Sequence, residues 1–506
     1  MGKKVLILGG EGNGTIIANA ILDANKRGYD EYVCCGLLND GNPVGTIIDS
    51  FEVVGSIKRD FEKFLNEGFY FINAILRIDG NRQRIQMVED LHIPEERLAI
   101  FVHPTAYVAP NVLLSPGCVI MPLVTMSSNT KLGKCCLVLN SANIGHDDII
   151  SLGVGEPDFS TPWIVREEAF YHLEKGHTSY TSNWGLIELR QEVSKYLERF
   201  NLYYDPQTEI LPTIGASEAL DLVLRSILNP GDEIIVCEPC YVSYQPLAAL
   251  CDAKVIHLDT SVNGFYPTAE QIEAACTPKT KAVMFCSPSN PTGRVIPADE
   301  LEKIAEVVKK HQIWCLSDEI YCELLYDNRK HVSIGQFDGM KDYAIIFNGF
   351  SKSFAMTGWR IGYIAAPNDL LTQCCKLHAY NSICPPIFSQ YAAAEALRHA
   401  WDEVEKMRVS YQQRRNLMHK AFIEMGLPCT EPEGAFYMFP DIRPTGMTSE
   451  EFATELIQNY NVAVVPGTCF GDGGEGFIRC CYATDINKLK IAMERIADMV
   501  GKKLKK

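Results

Sequence analysis

Apolar positions recur along the chain with three successive rhythms, and each rhythm predicts its own architecture. Lys4–Leu8 is a short apolar run that reads as a buried strand. It runs into Gly9-Gly10-Glu11-Gly12-Asn13-Gly14, after which Thr15–Leu22 carries apolar residues at helical spacing. Strand, glycine turn and helix predict a βαβ opening whose helix N-terminus can hold a phosphate. The third glycine stands one residue early for a dinucleotide fingerprint, and no acidic residue closes a second strand. The pattern therefore predicts a Rossmann-like half-domain over residues 1–105 without a bound NAD; the plainer reading is a tight strand-to-helix turn.

The second rhythm has a period of six: Val108, Leu114, Ile120, Met126, Leu132, Val138, Ile144 and Ile150, with small, polar, Pro and Gly residues between. One aliphatic residue per hexapeptide predicts a left-handed β-helix. Three hexapeptides close one triangular coil, so residues 106–149 provide only about two coils.

Beyond Ile150 the period breaks, and short apolar runs alternate with helical segments. Glu233–Cys237, Lys254–Leu258, Ala282–Cys286, Ile313–Leu316, Tyr343–Phe347 and Ile361–Ala365 read as strands. Ser217–Leu228, Ala298–Lys310 and Leu370–His378 read as helices between them. This predicts a doubly wound, mostly parallel α/β domain, followed after about residue 400 by a smaller α+β part that opens on the helical run Asp402–Met425.

Composition narrows the function. At 506 residues the chain needs more than one core. A net charge of −16 argues against broad binding to nucleic acid or anionic membrane, and no run is long and apolar enough to span a bilayer. The N-terminal apolar run is too short for a signal peptide, so a cytoplasmic protein is expected. The 19 cysteines are scattered or, as in Cys34-Cys35 and Cys480-Cys481, adjacent, a poor geometry for disulfides or a metal. They read as reduced thiols, with no metal site.

Ligands of open α/β sheets sit outside the carboxyl ends of the strands, so the residues there carry the candidate chemistry. Lys352 and Arg360 follow Tyr343–Phe347; Asp318 and Tyr321 follow Ile313–Leu316; Asn290 follows Ala282–Cys286; Tyr241 follows Glu233–Cys237. Gly215-Ala216-Ser217 is a small-residue turn opening a helix, a natural phosphate cradle. Singly, each has an ordinary structural reading: a solvated lysine, a paired aspartate, a turn-capping asparagine, a core tyrosine. Together they describe a site for a phosphorylated aromatic cofactor with a ring nitrogen, a phenolic oxygen and an aldehyde. Lys352 would form a Schiff base, and Asp318 would keep the ring nitrogen protonated. Asn290 and Tyr321 would bond the phenolic oxygen, and Tyr241 would stack on the ring. Ser217, the Gly215–Ser217 backbone and Arg360 would take the phosphate.

Residues 150–506 resemble the class I aminotransferases of fold type I, which depend on pyridoxal 5′-phosphate. The resemblance rests on Ser287-Pro-Ser-Asn-Pro-Thr-Gly293, Ser317-Asp-Glu-Ile-Tyr321, Ser351-Lys-Ser-Phe-Ala-Met-Thr-Gly-Trp-Arg360 and Gly476-Phe-Ile-Arg-Cys-Cys-Tyr482. It implies a cofactor domain over about 175–400 and a small domain made of 401–506 with 150–174. It implies that Ser351 adds to the cofactor site and that Arg479 clamps the substrate α-carboxylate beside Gly155 and Asn290. It also implies that Tyr180 reaches the phosphate of a neighbouring subunit, hence a homodimer. Implied too are transamination by Lys352, Asp318 and Tyr321, 2-oxoglutarate as acceptor, and donors in the aspartate, aromatic or N-acetyl-diaminopimelate range. The alternatives are a lyase on the same fold, or a non-catalytic fusion in which the N-terminal acyltransferase-like module acts only as a scaffold. Two departures stand out: Gly349 replaces a serine that many relatives carry, and the segment that normally precedes Leu152-Gly-Val-Gly-Glu-Pro-Asp158 is replaced by the hexapeptide run.

Residues 1–148 resemble the hexapeptide-repeat nucleotide-sugar acyltransferases. Asn140-Ser-Ala-Asn-Ile-Gly-His146-Asp147 matches the context of that family's general base, His146 here. The repeat stops at that histidine, before the coils that would bind acyl-CoA, so a truncated, inactive module is expected.

Overall fold

The computed structural model describes residues 2–75, 86, 89–127, 130–140, 142–144 and 149–504. The chain divides into two compact units, Met1–Asp148 and Ile149–Lys506.

In the first unit, β1 (Lys3–Leu8), β2 (Tyr32–Leu38), β3 (Ile47–Ile48), β4 (Phe51–Gly55) and β5 (Tyr70–Asn73) form a five-stranded sheet of order β3-β4-β2-β1-β5. β1 lies between β2 and β5 and is parallel to both, and Val5–Leu8 is wholly buried. The helix Asn13–Lys26 starts inside the glycine turn, earlier than its apolar spacing predicts, because Asn13 and Gly14 already take helical geometry.

The hexapeptide stretch folds into two-residue strands: β6 (Phe101–Val102), β7 (Tyr107–Val108), β8 (Leu113–Leu114), β9 (Val119–Ile120), β10 (Thr125–Met126), β11 (Lys131–Leu132), β12 (Leu137–Val138) and β13 (Asn143–Ile144). β6 to β10 each pair in parallel with the strand three further on. Phe101 faces Val119, which faces Leu137; Tyr107 faces Thr125, which faces Asn143; Leu113 faces Lys131. Three stacks result, each repeating every 18 residues. The aliphatic residues of the period turn inward, Ile120 and Met126 completely. One apolar cluster runs from Val5, Ile17 and Ile72 of the sheet layer to Phe101, Ile120 and Val138 of the coils, so sheet and coils share a core.

In the second unit, β14 (Ile150–Ser151) leads in. β15 (Ile210–Thr213), β16 (Glu233–Glu238), β17 (Lys254–Asp259), β18 (Thr280–Cys286), β19 (Trp314–Asp318), β20 (Ala344–Gly349) and β21 (Gly362–Ala365) form a seven-stranded sheet of order β15-β21-β20-β19-β18-β16-β17. β21 is antiparallel to both its neighbours and the other pairs are parallel. Burial alternates along the strands: Ile235, Val283, Cys315 and Ile346 enter one apolar layer, whereas Ile234, Val236, Met284, Leu316 and Phe347 enter the other. Both faces are covered, which is why these strands read as continuous apolar runs. The register places Cys286, Asp318 and Phe347 side by side at the strands' carboxyl ends.

A third cluster joins Ile150 and Leu152 to the C-terminal part, where β22 (Tyr437–Met438), β24 (Val465–Pro466) and β25 (Ile478–Cys481) form an antiparallel sheet of order β22-β25-β24. β14 pairs with β23 (Val462–Ala463). The segment expected to join the small domain, 150–174, is split. Its first residues pair with β23, but the helix Trp163–Glu174 buries Val165 and Ala169 in the large domain's core. Apolar residues all around that helix leave no stripe that would have shown which core it faces.

Candidate active site

Asn290, Asp318, Tyr321 and Lys352 all lie within five residues of the level row Cys286, Asp318, Phe347. They converge on a cavity of about 600 Å³ that is also lined by Gly155, Ala216, Ser217, Tyr241, Ser351, Arg360 and Arg479.

Asp318 closes β19 and is 4% exposed. Its Oδ2 accepts the Tyr244 hydroxyl hydrogen at 2.5 Å, and its Oδ1 accepts the Ile320 amide at 3.2 Å. Burial pushes its carboxyl up to about 6, against the pull of those two donors. Among the described residues it forms no ion pair, so the site holds a carboxyl group in want of a cation.

Lys352 donates from Nζ to the Gly155 carbonyl at 2.7 Å. Burial lowers its pKa, and the nearby Arg360 and Arg479 act in the same direction, partly offset by Cys481 and Glu156. The lysine is therefore more readily neutral than a solvated one.

Arg479, on β25, lies between the rings of Tyr437 and Phe470, with its guanidinium carbon 4.6 and 4.8 Å from their centroids. Nη1 donates to Asn290 Oδ1 at 2.9 Å and Nη2 to the Gly153 carbonyl at 2.6 Å, while the buried Nε has no partner. The Tyr321 and Tyr437 hydroxyls share a hydrogen bond of 2.8 Å, and burial raises both phenols.

At the other end, the helix Gly215–Ile227 points its N-terminus at the cavity without a side-chain cap, leaving first-turn N–H groups for a ligand. Gly215 has φ +71, and a Cβ there would stand 2.7 Å from Arg360 Nη2. Arg360 donates to the Thr357 carbonyl at 3.0 Å and forms no ion pair among the described residues. An uncapped helix end with an unpaired arginine fits a dianion.

Residues 147–496 match the family described as aminotransferase class I and II. The chain belongs to this family. Over 358 residues it is 51% identical to a putative aminotransferase, YugH, of Bacillus subtilis, covering 70% of this chain and 92% of that one. It is 44% identical to an aspartate aminotransferase of Pyrococcus abyssi over 363 residues, 71% of this chain and 93% of the relative. The structure also resembles the crystal structure of an aromatic aminotransferase from Pyrococcus horikoshii, with a TM-score of 0.69 and 43% identity, covering 71% of this chain and 97% of that one. The protein is an aminotransferase that depends on pyridoxal 5′-phosphate and takes amino-acid and 2-oxo-acid substrates.

The cavity of this aminotransferase fits that cofactor. It offers an unpaired buried carboxyl, a buried lysine, an aromatic wall at Tyr241 and a glycine cradle beside an unpaired arginine. Most of the residues singled out in the sequence line it, and Gly215 lies beside Arg360, which does. Tyr180 does not line it and is 77% exposed. His146 lies outside the described residues. Tyr244, Tyr437 and Phe470 escaped the sequence reading. Tyr244 had a usable signal, since it stands three residues after Tyr241, about one helical turn on. Tyr437 and Phe470 had none, because an aromatic residue among apolar neighbours reads as core. Among the described residues, no three His, Cys, Asp or Glu side chains are grouped to hold a metal, and no helix is long and apolar enough to cross a membrane.

Proposed function

We propose that Lys352 binds the cofactor aldehyde and then moves the substrate's α-proton. The observation that supports this most is the convergence of Lys352 and Asp318, from neighbouring strands, on a cavity whose far end is the Gly215–Ser217 turn. Bound there, pyridoxal phosphate supplies an aldehyde that condenses with amines and a protonated ring that accepts an electron pair. Every other task falls to side chains. Asp318 gives the ring nitrogen the anion that keeps it protonated, and Tyr244 holds Asp318 in place. Asn290 has spent its carbonyl oxygen on Arg479, so its NH₂ remains to donate to the phenolic oxygen, together with the Tyr321 hydroxyl. Tyr241 stacks on the ring. Ala216, Ser217, Ser351, Arg360 and the Gly215 backbone hold the phosphate. Arg479 binds the substrate carboxylate beside Gly155, pre-aimed by its contacts with Asn290 and Gly153. Lys352, made less basic by burial, would remove the proton at the α-carbon and return it to the carbon that the cofactor's aldehyde supplies, two bonds away across the shared nitrogen.

The amino donors are aspartate, aromatic or N-acetyl-diaminopimelate-like, in keeping with the names of the relatives, and 2-oxoglutarate is the acceptor. The active form is a homodimer in which Tyr180 serves the partner's phosphate, as its exposure suits. The first unit is a Rossmann-like domain followed by a truncated hexapeptide β-helix, a scaffold without acyltransferase activity; the boundaries expected at 105/106 and 149 shift, because Phe101–Val102 already pairs within the coils and the unit ends at Asp148. The period-six burial and the 18-residue pairing support that reading. Half-reactions test the function. The cofactor's visible band should be lost on adding a donor amino acid and return on adding 2-oxoglutarate. Release of ammonia and pyruvate without recovery of the band would mean a lyase.

A further inference from the structure

A largely buried carboxylate that the reaction does not use ties the phosphate turn to the rest of the domain. Glu218 lies in the first turn of the helix Gly215–Ile227. Its Oε2 accepts the Ile214 amide at 2.6 Å, so it holds the turn from which the phosphate-binding N–H groups project. Its Oε1 accepts from the Ser382 hydroxyl at 2.8 Å and is 2.9 Å from His378 Nδ1. Burial would raise its pKa, but these hydrogen bonds outweigh it and hold the carboxyl below its ordinary value. A negative charge near a phosphate dianion is unfavourable by charge alone. Its place there is accounted for by what it holds.

The other end of this link is strained and leads outward. His378 is fully buried, and its Nε2 has no partner. The Ser382 and Ile383 amides both close on the His378 carbonyl, at 2.9 and 3.0 Å. Ile383 is thereby held at φ +66, a left-handed conformation that a β-branched residue adopts only when its surroundings impose it. The Ile383 carbonyl accepts from Asn183 Nδ2 at 2.9 Å, and the Thr181 amide lies 3.4 Å from Cys384 Sγ. These contacts fix the loop that carries Tyr180.

We propose that Glu218 is a positioning residue that locks the phosphate turn to segment 378–384, and through it to the Tyr180 loop. Phosphate binding and the order of that loop are then one event. The proposal rests on the reading above that the turn and Arg360 receive the cofactor phosphate.

The test compares the affinities of the full-length, cofactor-stripped protein for pyridoxal phosphate and for pyridoxal, which lacks the phosphate. In Glu218→Ala the preference for the phosphorylated form should fall about tenfold, the scale of one lost charge-assisted hydrogen bond. Glu218→Gln should restore most of it, because the amide oxygen still accepts the Ile214 N–H. Ser382→Ala, a milder variant, should lower the preference about threefold. Amide exchange in 178–186 should slow on adding pyridoxal phosphate to the wild type, and the slowing should be lost in Glu218→Ala. An unchanged preference in Glu218→Ala, a parallel loss of both ligands, or wild-type slowing in Glu218→Ala would overturn the proposal. Arg360→Ala separates the two readings. If it abolishes the preference while Glu218→Ala does not, the role of Glu218 alone falls. If it leaves the preference intact, the phosphate site itself is misassigned and the proposal falls with it.

Discussion

In the cofactor-free protein the Asp318 carboxyl receives hydrogen bonds from Tyr244 and the Ile320 amide, and its pKa stands at about 6 instead of 3.8. The folded state therefore holds this proton more tightly than the unfolded state. The stability it contributes is present below about pH 4 and is lost as pH rises through about 6. Denaturation of cofactor-free protein should show a fall on the order of 2 kcal/mol across that window, and Asp318→Asn should remove it. Equal slopes for the two proteins would refute the burial argument. At Arg479, lysine keeps the charge but cannot make the paired contacts to Asn290 and Gly153. Arg479→Lys should raise the KM for the amino donor about tenfold or more, with a smaller change in kcat, in steady-state assays. Asp318, Lys352 and Arg360 were legible because they follow apolar runs, where a charge needs a reason, whereas Arg479 came only from the family resemblance. Tyr437 was not legible, because a phenol that holds another side chain is indistinguishable in sequence from one that fills a core, whereas Tyr244 was betrayed only by its spacing from Tyr241.

Among the elements, the uncapped helix Gly215–Ile227 is the one whose geometry can be perturbed most selectively. A Cβ on Gly215 would meet Arg360 Nη2 at 2.7 Å, in a left-handed conformation besides. Gly231 has a similar φ of +83 but open space around it. Gly215→Ala and Gly231→Ala should each cost about 1 kcal/mol of stability, measured by thermal unfolding. Only Gly215→Ala should also weaken pyridoxal phosphate binding, by about tenfold in a titration. Equal affinities would mean that Arg360 and the turn do not share the phosphate. The strands were readable because burial on both faces writes itself as apolar runs. The hexapeptide stretch was readable because one inward residue per side repeats every six. The helix Trp163–Glu174 was misplaced, since it leaves Trp163, Phe170 and Tyr171 at least half exposed while burying Val165 and Ala169.

At the scale of the molecule those exposed residues bear on assembly. Trp163 and Phe170 lie seven residues apart on one helix, 59% and 61% exposed, and would serve the homodimer proposed above as a contact face. Sedimentation should give twice the 56.5 kDa chain mass, and Phe170→Glu should shift the protein towards that single mass. A wild-type protein that sediments as a monomer would remove the role proposed for Tyr180. How the two units combine in one chain was not legible, because each rhythm reports a local core and none reports the other unit. The central claim concerns Lys352, and one experiment addresses it directly. Holoenzyme reduced with borohydride and digested should carry the cofactor on the peptide that contains Lys352, and Lys352→Ala should carry none. Label on another lysine, or undiminished label in Lys352→Ala, would contradict the account.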